Sequence, residues 1–296
     1  MTILGDLFPG FRDGRTTVDG TAIAHLVGGS GPPLLLLHGH PQTRAMWHRV
    51  APDLARDFTV VVADLRGYGD SDKPPGDAVH ATYSKRAMAA DMVALMRALG
   101  FDRFDLVAHD RGARVGHRLC RDHRGAVRRF MALDIAPTLA MVEGTTRAFA
   151  TAYWHWFFLI QGDGIPERMI GADPAFYVRS MLSRSPMGLG GFDPRALAEY
   201  ERCFALPGAV HATCEDYRAA ATVDLDHDRA DLDRPVALPV RVLWGEKGVV
   251  HACFDPLAEW RRVATDVTGR PMPTGHYLAE EDPEGTLAEI RAFLAG

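Results

Sequence analysis

The residues most able to do chemistry gather around Asp110. The run Phe104-Asp-Leu-Val-Ala-His-Asp-Arg-Gly-Ala-Arg114 reads as an apolar strand, a tight turn and a helix that opens on small residues. Ala108 and Gly112 bracket Asp110 in the spacing small-x-nucleophile-x-Gly, the strand-to-helix elbow that exposes a nucleophile above a sheet. A carboxylate where such elbows usually carry serine changes the reaction. It attacks saturated carbon, displaces a leaving group, and becomes an ester that water must then hydrolyse.

Hydrolysis of that ester calls for an oxyanion site, a base and an acid to orient the base. His38-Gly-His-Pro41 follows the apolar run Leu34–Leu37, and its backbone N–H at His40 can pair with the N–H of Arg111 as oxyanion donors. Two histidines could instead suggest a metal, but no third ligand stands at a characteristic spacing, so neither metal nor cofactor is expected. Gly275-His276 falls after the last expected strand, which makes His276 the expected general base, acting in its neutral form. Asp134 closes the run Phe130–Asp134 and is the expected orienting acid. The loop after Val240–Trp244 offers Gly248 where an acid is common, with Glu246 in reserve. The order Asp110, Asp134, His276 is nucleophile, acid, base. Arg111 and Arg114, three apart on the helix, can turn to one side of the elbow. There they suit a small carboxylate, through charge-assisted bonds of roughly 1.5–3 kcal/mol each.

The elements that must position these groups are legible as short apolar runs. Leu34–Leu37, Thr59–Ala63, Phe104–Ala108, Phe130–Asp134 and Val240–Trp244 read as strands buried on both faces of a parallel sheet. Lys85–Leu99 and Leu257–Thr265 show helical spacing. Strand and helix alternate, so the fold class is α/β with a mostly parallel sheet. The alternation breaks from about Ala136 to Pro239, where Trp, Tyr, Phe and Met are dense and no valine-rich strand occurs. That predicts a core of residues 1–136 and 239–296 and a helical cap of residues 137–238, with Pro137, Pro235 and Pro239 at the reversals. Asp64-Leu-Arg-Gly-Tyr-Gly-Asp-Ser71 lacks the Lys-Ser/Thr of a phosphate loop, and Gly67 and Gly69 read as turn formers.

With 296 residues, 47% of them hydrophobic, the chain can bury one large core. A net charge of −5 with interspersed signs leaves no basic stripe and argues against nucleic acid. Cys120, Cys203, Cys214 and Cys253 form no C-x-x-C pair and read as reduced thiols. No stretch approaches the ~18 apolar residues of a membrane span, and Met1 to Phe11 does not read as a leader. A cytoplasmic location is the expectation.

The chain resembles the fluoroacetate (haloacetate) dehalogenases of the α/β-hydrolase superfamily over nearly its whole length. The likeness is sharpest in His109-Asp-Arg-Gly-Ala-Arg-Val-Gly-His117, Leu133-Asp-Ile-Ala-Pro-Thr138, Ala152-Tyr-Trp-His-Trp-Phe-Phe158, Ile170-Gly-Ala-Asp-Pro174 and Asp216-Tyr-Arg218. It implies an α/β-hydrolase fold with a helical cap, a haloacid substrate and a homodimer. It implies Asp110 as nucleophile, Asp134 and His276 as the relay, Arg111 and Arg114 on the substrate carboxylate, and His155, Trp156 and Tyr217 around the departing halide. Fluoride leaves poorly and is heavily hydrated, so an imidazole N–H, an indole N–H and a phenol O–H in fixed positions would have to replace its water. The neighbouring Tyr153, Trp154, Phe157 and Phe158 read mostly as the cap's apolar face, and His155 among them needs a polar partner. Ser183-Arg-Ser-Pro-Met187 departs from the aromatic of the family, which widens the expected range to chloroacetate, bromoacetate and slightly larger 2-haloacids. Epoxide hydrolases and haloalkane dehalogenases share the Asp nucleophile but tend to follow it with Trp, and epoxide hydrolases need two cap tyrosines. Arg111 argues against both. A binding module that has lost catalysis would lack a member of the relay, and all three are present.

Overall fold

In the computed structural model, which describes residues 3–295, the apolar runs form the centre of one sheet. Its strands are β1 (Arg12–Val18), β2 (Thr21–Gly28), β3 (Pro33–Leu37), β4 (Thr59–Ala63), β5 (Phe104–His109), β6 (Val127–Leu133), β7 (Val236–Gly245) and β8 (Ala264–Met272). They lie in the order β1-β2-β4-β3-β5-β6-β7-β8. β1 and β2 form a hairpin that turns at Asp19-Gly20, both with positive φ (46° and 81°), as a two-residue Asp-Gly turn requires. β2 is antiparallel to β4, and every pairing from β4 through β8 is parallel. Leu34–Leu37, Val60–Ala63 and Phe104–Ala108 are fully buried, which is why they contain no polar alternation except Asp105.

The strand order reverses about β3, which has β4 on one side and β5 on the other. Ligands of open parallel sheets bind beyond the carboxyl ends of strands at such a reversal. The loops leaving β3 and β5 are the ones that carry His38–Pro41 and Asp110.

Three expectations differ from the structure. The helix expected over Leu257–Thr265 ends at Arg261, and β8 starts at Ala264. Val263 has helical spacing from Trp260, but its carbonyl accepts from the N–H of Val236 at 2.8 Å, a sheet contact that overrides local spacing. β7 begins at Val236, inside the span 137–238 assigned to the cap, through an irregular register between Val236 and Pro239. The edge strands β1 and β8 escape the apolar-run criterion because they stand largely open to solvent, and the buried β2 because His25 interrupts its apolar run. Between Leu133 and Val236 the regular structure among the described residues is helical, from Thr138–Glu143 to Val223–Ala230.

Candidate active site

Local backbone geometry brings Asp110 to the cavity. It heads the helix Asp110–Asp122 directly after β5 and sits at φ +45°, a conformation that L-residues adopt only under constraint. Two glycines make the turn sterically possible. A Cβ at Gly39 would lie 2.5 Å from Asp110 Cβ, and one at Gly112 would lie 2.4 Å from the carbonyl oxygen of His38. The N–H of Gly112 donates to that same oxygen at 2.9 Å, locking the β3 loop against the elbow. The N–H of His40 then donates to Asp110 Oδ1 at 2.9 Å. Arg111 lies in the first helical turn, where no preceding carbonyl can accept its N–H.

His276 and Asp134 meet across the top of the sheet. His276 Nδ1 stands 2.5 Å from Asp134 Oδ2, and Asp134 Oδ1 accepts the N–H of Gly245 at 2.9 Å. Asp134, one residue past β6, also has positive φ, +50°. Glu246, the reserve acid, is exposed. Burial opposes the imidazolium of His276, but the hydrogen bond and charge of Asp134, and then the charge of Asp110, outweigh it and raise its pKa. Burial likewise opposes an ionised Asp110. The charges of His276, His109, Arg111 and Arg114 overcome this and hold the carboxyl well below its usual range. The partial positive charge at the helix N-terminus acts in the same direction.

A cavity of about 90 Å³ lies over Asp110 and His276, with Tyr153, His155, Arg184 and Tyr217 on the opposite wall. That is room for a few waters or one small acid. Tyr217 stands edge-on to His155 at 5.9 Å and to Trp156 at 6.3 Å, so the three residues expected around the halide are neighbours. Trp156 packs behind the cavity wall, and its buried Nε1 has no hydrogen-bond partner.

Arg111 and Arg114 are both buried, and neither lines the cavity as it stands. Arg111 Nε and Nη2 each lie 2.8 Å from the carboxylate of Asp216, its guanidinium covers the ring of Tyr217 at 4.1 Å, and Nη1 is unpartnered. Arg114 Nη1 donates to Thr138 Oγ1 at 3.0 Å, its guanidinium lies 4.7 Å above the Trp156 ring, and Nε is unpartnered. Burial, and then repulsion from Arg111, lower the pKa of Arg114 to about 10, so it stays charged at neutral pH.

Several contributors carry little signal in the sequence. Asp216 also binds Lys85 Nζ and accepts the Tyr68 hydroxyl at 2.6 Å. Only the burial of all four groups reveals this network. The ring of His40 joins the cavity wall, its Nε2 3.2 Å from the Tyr177 hydroxyl. Tyr153, read mostly as apolar face, lines the cavity as well. Elsewhere, Asp70, Glu199 and Cys203 bring three ligand-type atoms together. Arg202 reaches all three with its own donors, which makes the cluster an arginine site.

The mostly parallel eight-stranded sheet, with Asp110, Asp134 and His276 gathered over its carboxyl edge, has the architecture of an α/β hydrolase. Residues 32–204 match the α/β hydrolase fold family, and the chain belongs to it. It is 47% identical over 290 residues to a fluoroacetate dehalogenase of Burkholderia sp, covering 98% of this chain and 95% of that protein. It is 32% identical over 285 residues to a soluble epoxide hydrolase of Corynebacterium sp. strain C12, covering 95% and 96%. The solved structure of a Nostoc sp PCC 7120 protein described as an α/β hydrolase aligns at a TM-score of 0.95 with 52% identity, covering 96% and 98% of the two chains.

Proposed function

We propose that the protein is a hydrolytic dehalogenase that converts haloacetates to glycolate and halide. The observation that carries this reading is the small cavity in which an ionised Asp110 faces His155 and Tyr217, with the guanidinium groups of Arg111 and Arg114 buried on the helix that Asp110 heads. A substrate carboxylate that reached their unpartnered N–H groups, Arg111 Nη1 and Arg114 Nε, would satisfy both. The likeness to the Burkholderia fluoroacetate dehalogenase supports the same substrate class.

Asp110 Oδ1 is engaged by the His40 N–H, which leaves Oδ2 as the attacking atom. Oδ2 forms a bond to the methylene carbon as the carbon–halogen bond breaks, and the halide departs toward His155, Trp156 and Tyr217. His276, oriented by Asp134, takes a proton from water, whose oxygen adds to Asp110 Cγ. The oxyanion that develops on Oδ1 is met by the N–H groups of His40 and Arg111. Collapse expels the glycolate oxygen, which takes the proton from His276; Asp110 retains one oxygen from water and gives the remaining proton of that oxygen to solvent, which restores its carboxylate.

Epoxide hydrolysis is a second reading with its own support, since Tyr153 and Tyr217 both line the cavity opposite Asp110, where two phenols could protonate a ring oxygen. The deciding experiment measures fluoride, chloride and bromide release from the three haloacetates, and diol from a terminal epoxide, with wild type beside Asp110→Asn. Halide released by wild type alone supports the dehalogenase, whereas diol without halide would replace it with the epoxide hydrolase. The homodimer implied by the family resemblance and the cytoplasmic setting expected from the reduced thiols belong to the same reading. A light-scattering mass near twice the 32.4 kDa of the chain would support the dimer.

A further inference from the structure

Of the three cap groups expected around the halide, the indole N–H is a fixed donor and the phenol hydroxyl rotates to suit, but the imidazole must carry its proton on one nitrogen or the other. We propose that Arg184 is a positioning residue that holds His155 in the Nε2–H tautomer, so that the ring donates toward the departing halide. The inference rests on the dehalogenase reading.

Arg184 Nη1 lies 3.4 Å from His155 Nδ1, and its Nη2 donates to the carbonyl of Ala152. The second contact anchors the guanidinium to the end of the helix Arg147–Ala152, so the contact with the ring does not depend on a loose side chain. A guanidinium has five N–H donors and no acceptor. Nδ1 therefore meets the arginine as an acceptor, and the single proton of a neutral ring goes to Nε2. The ring is neutral, because burial, and then the charges of His40 and Arg184, press its pKa well below the ordinary value. No protein group among the described residues hydrogen-bonds Nε2, and His155 lines the same cavity as Asp110 and Tyr217. Packing fixes the plane of the ring, which is stacked on His40 at 6.3 Å and 16° and edge-on to Tyr217. The arginine adds what packing cannot supply, the choice of which edge is protonated. It falls within Ser183–Met187, the stretch that departs from the family aromatic.

The test compares wild type, Arg184→Lys and Arg184→Met, each labelled with ¹⁵N-histidine, and assigns His155 by its loss in His155→Asn. Wild type and Arg184→Lys should show a pyrrole-type Nε2 and a pyridine-type Nδ1, and Arg184→Met should show a mixture. Fluoride release should fall about tenfold or more in Arg184→Met, the cost of one hydrogen bond to an anion. Bromide release should fall less, since bromide demands less of its donors, and Arg184→Lys should restore the ratio. A pure Nε2–H signature in Arg184→Met would overturn the proposal. So would a tautomer that moves while the fluoride-to-bromide ratio does not. The spectra need no substrate. If wild type released no halide at all, the dehalogenase reading and the leaving-group role would fall, while the tautomer assignment would still be judged by the spectra.

Discussion

The core wall of the cavity and the layer of donors behind its lining are built on different terms. On the core wall each reacting group is already held by a partner: Asp110 by the His40 N–H, His276 by Asp134, and Asp134 by the Gly245 N–H. That wall is fixed by backbone, with Asp110 and Asp134 at positive φ and glycine at 39 and 112. Behind the lining, donors are left open: Arg111 Nη1 and Arg114 Nε on the helix that Asp110 heads, and Trp156 Nε1 in the cap, are buried without partners. The difference separates reaction from recognition. Under the proposed function, groups that break bonds are oriented before substrate arrives, whereas groups that choose the substrate keep a valence vacant for it. The core wall alone could then attack many electrophiles, and the open donors would restrict them to small halogenated acids.

The comparison can be broken most severely at His276. His276→Asn should form the Asp110 ester and stall, with steady-state turnover down about 10²–10⁴-fold. The measurement is one halide per site together with a covalent mass gain on the peptide bearing Asp110. Sustained turnover would remove His276 from the second step. The next effect in size is on folding. Asp216→Asn leaves Lys85 and Arg111 buried beside a neutral amide, and stability should fall by about 3–5 kcal/mol, read from denaturant midpoints; a loss below 1 kcal/mol would mean the network is replaceable. Arg114→Met tests the open donors directly. It should reduce kcat/KM for chloroacetate about tenfold to a hundredfold through loss of one charge-assisted bond, and far less for the uncharged chloroacetamide. Equal losses on both would show that Arg114 serves only packing.

The smallest expected effect is on pH dependence. His276 must be neutral to act, and its pKa is raised, so the active form is lost as pH falls through a value above the ordinary ~6.5. His276 acts on the ester, where Asp110 carries no charge and one of the influences raising His276 is gone. If ester hydrolysis limits turnover, kcat should show the acid limb of His276, while kcat/KM, which ends at the irreversible release of halide, should lack it. An equal acid limb in both would place His276 in the first step as well.

The core wall was the more legible of the two in the sequence. Buried parallel strands are continuous apolar runs, and the elbow spacing and the residue after the last strand locate Asp110 and His276 without any knowledge of packing. The edge strand β8 was not legible, because its stability comes from pairing with β7 and its own residues are mostly polar and open to solvent. The partners of the recognition groups were hidden for a related reason. Arg111 and Asp216 lie 105 positions apart, and nothing local in Asp216-Tyr217 marks it as the counterion of the elbow. The same holds for Arg184, which in sequence is one cation in a polar stretch and in space is a neighbour of His155.

Asp216 lies on the helix Ala209–Ala221 and is gripped by Arg111, Lys85 and Tyr68, all from the sheet side of the molecule. Swinging that helix away would strand a carboxylate and two cations in a dry interior, a cost of several kcal/mol. Traffic into and out of the cavity then belongs to exposed rim side chains such as Lys247 and Pro186. Their rotamers change in picoseconds to nanoseconds, while hinge motions take microseconds to milliseconds. Amide exchange in the 209–221 helix should accordingly be as slow as in the central strands, the behaviour of a roof bolted to its walls with a door cut in one side.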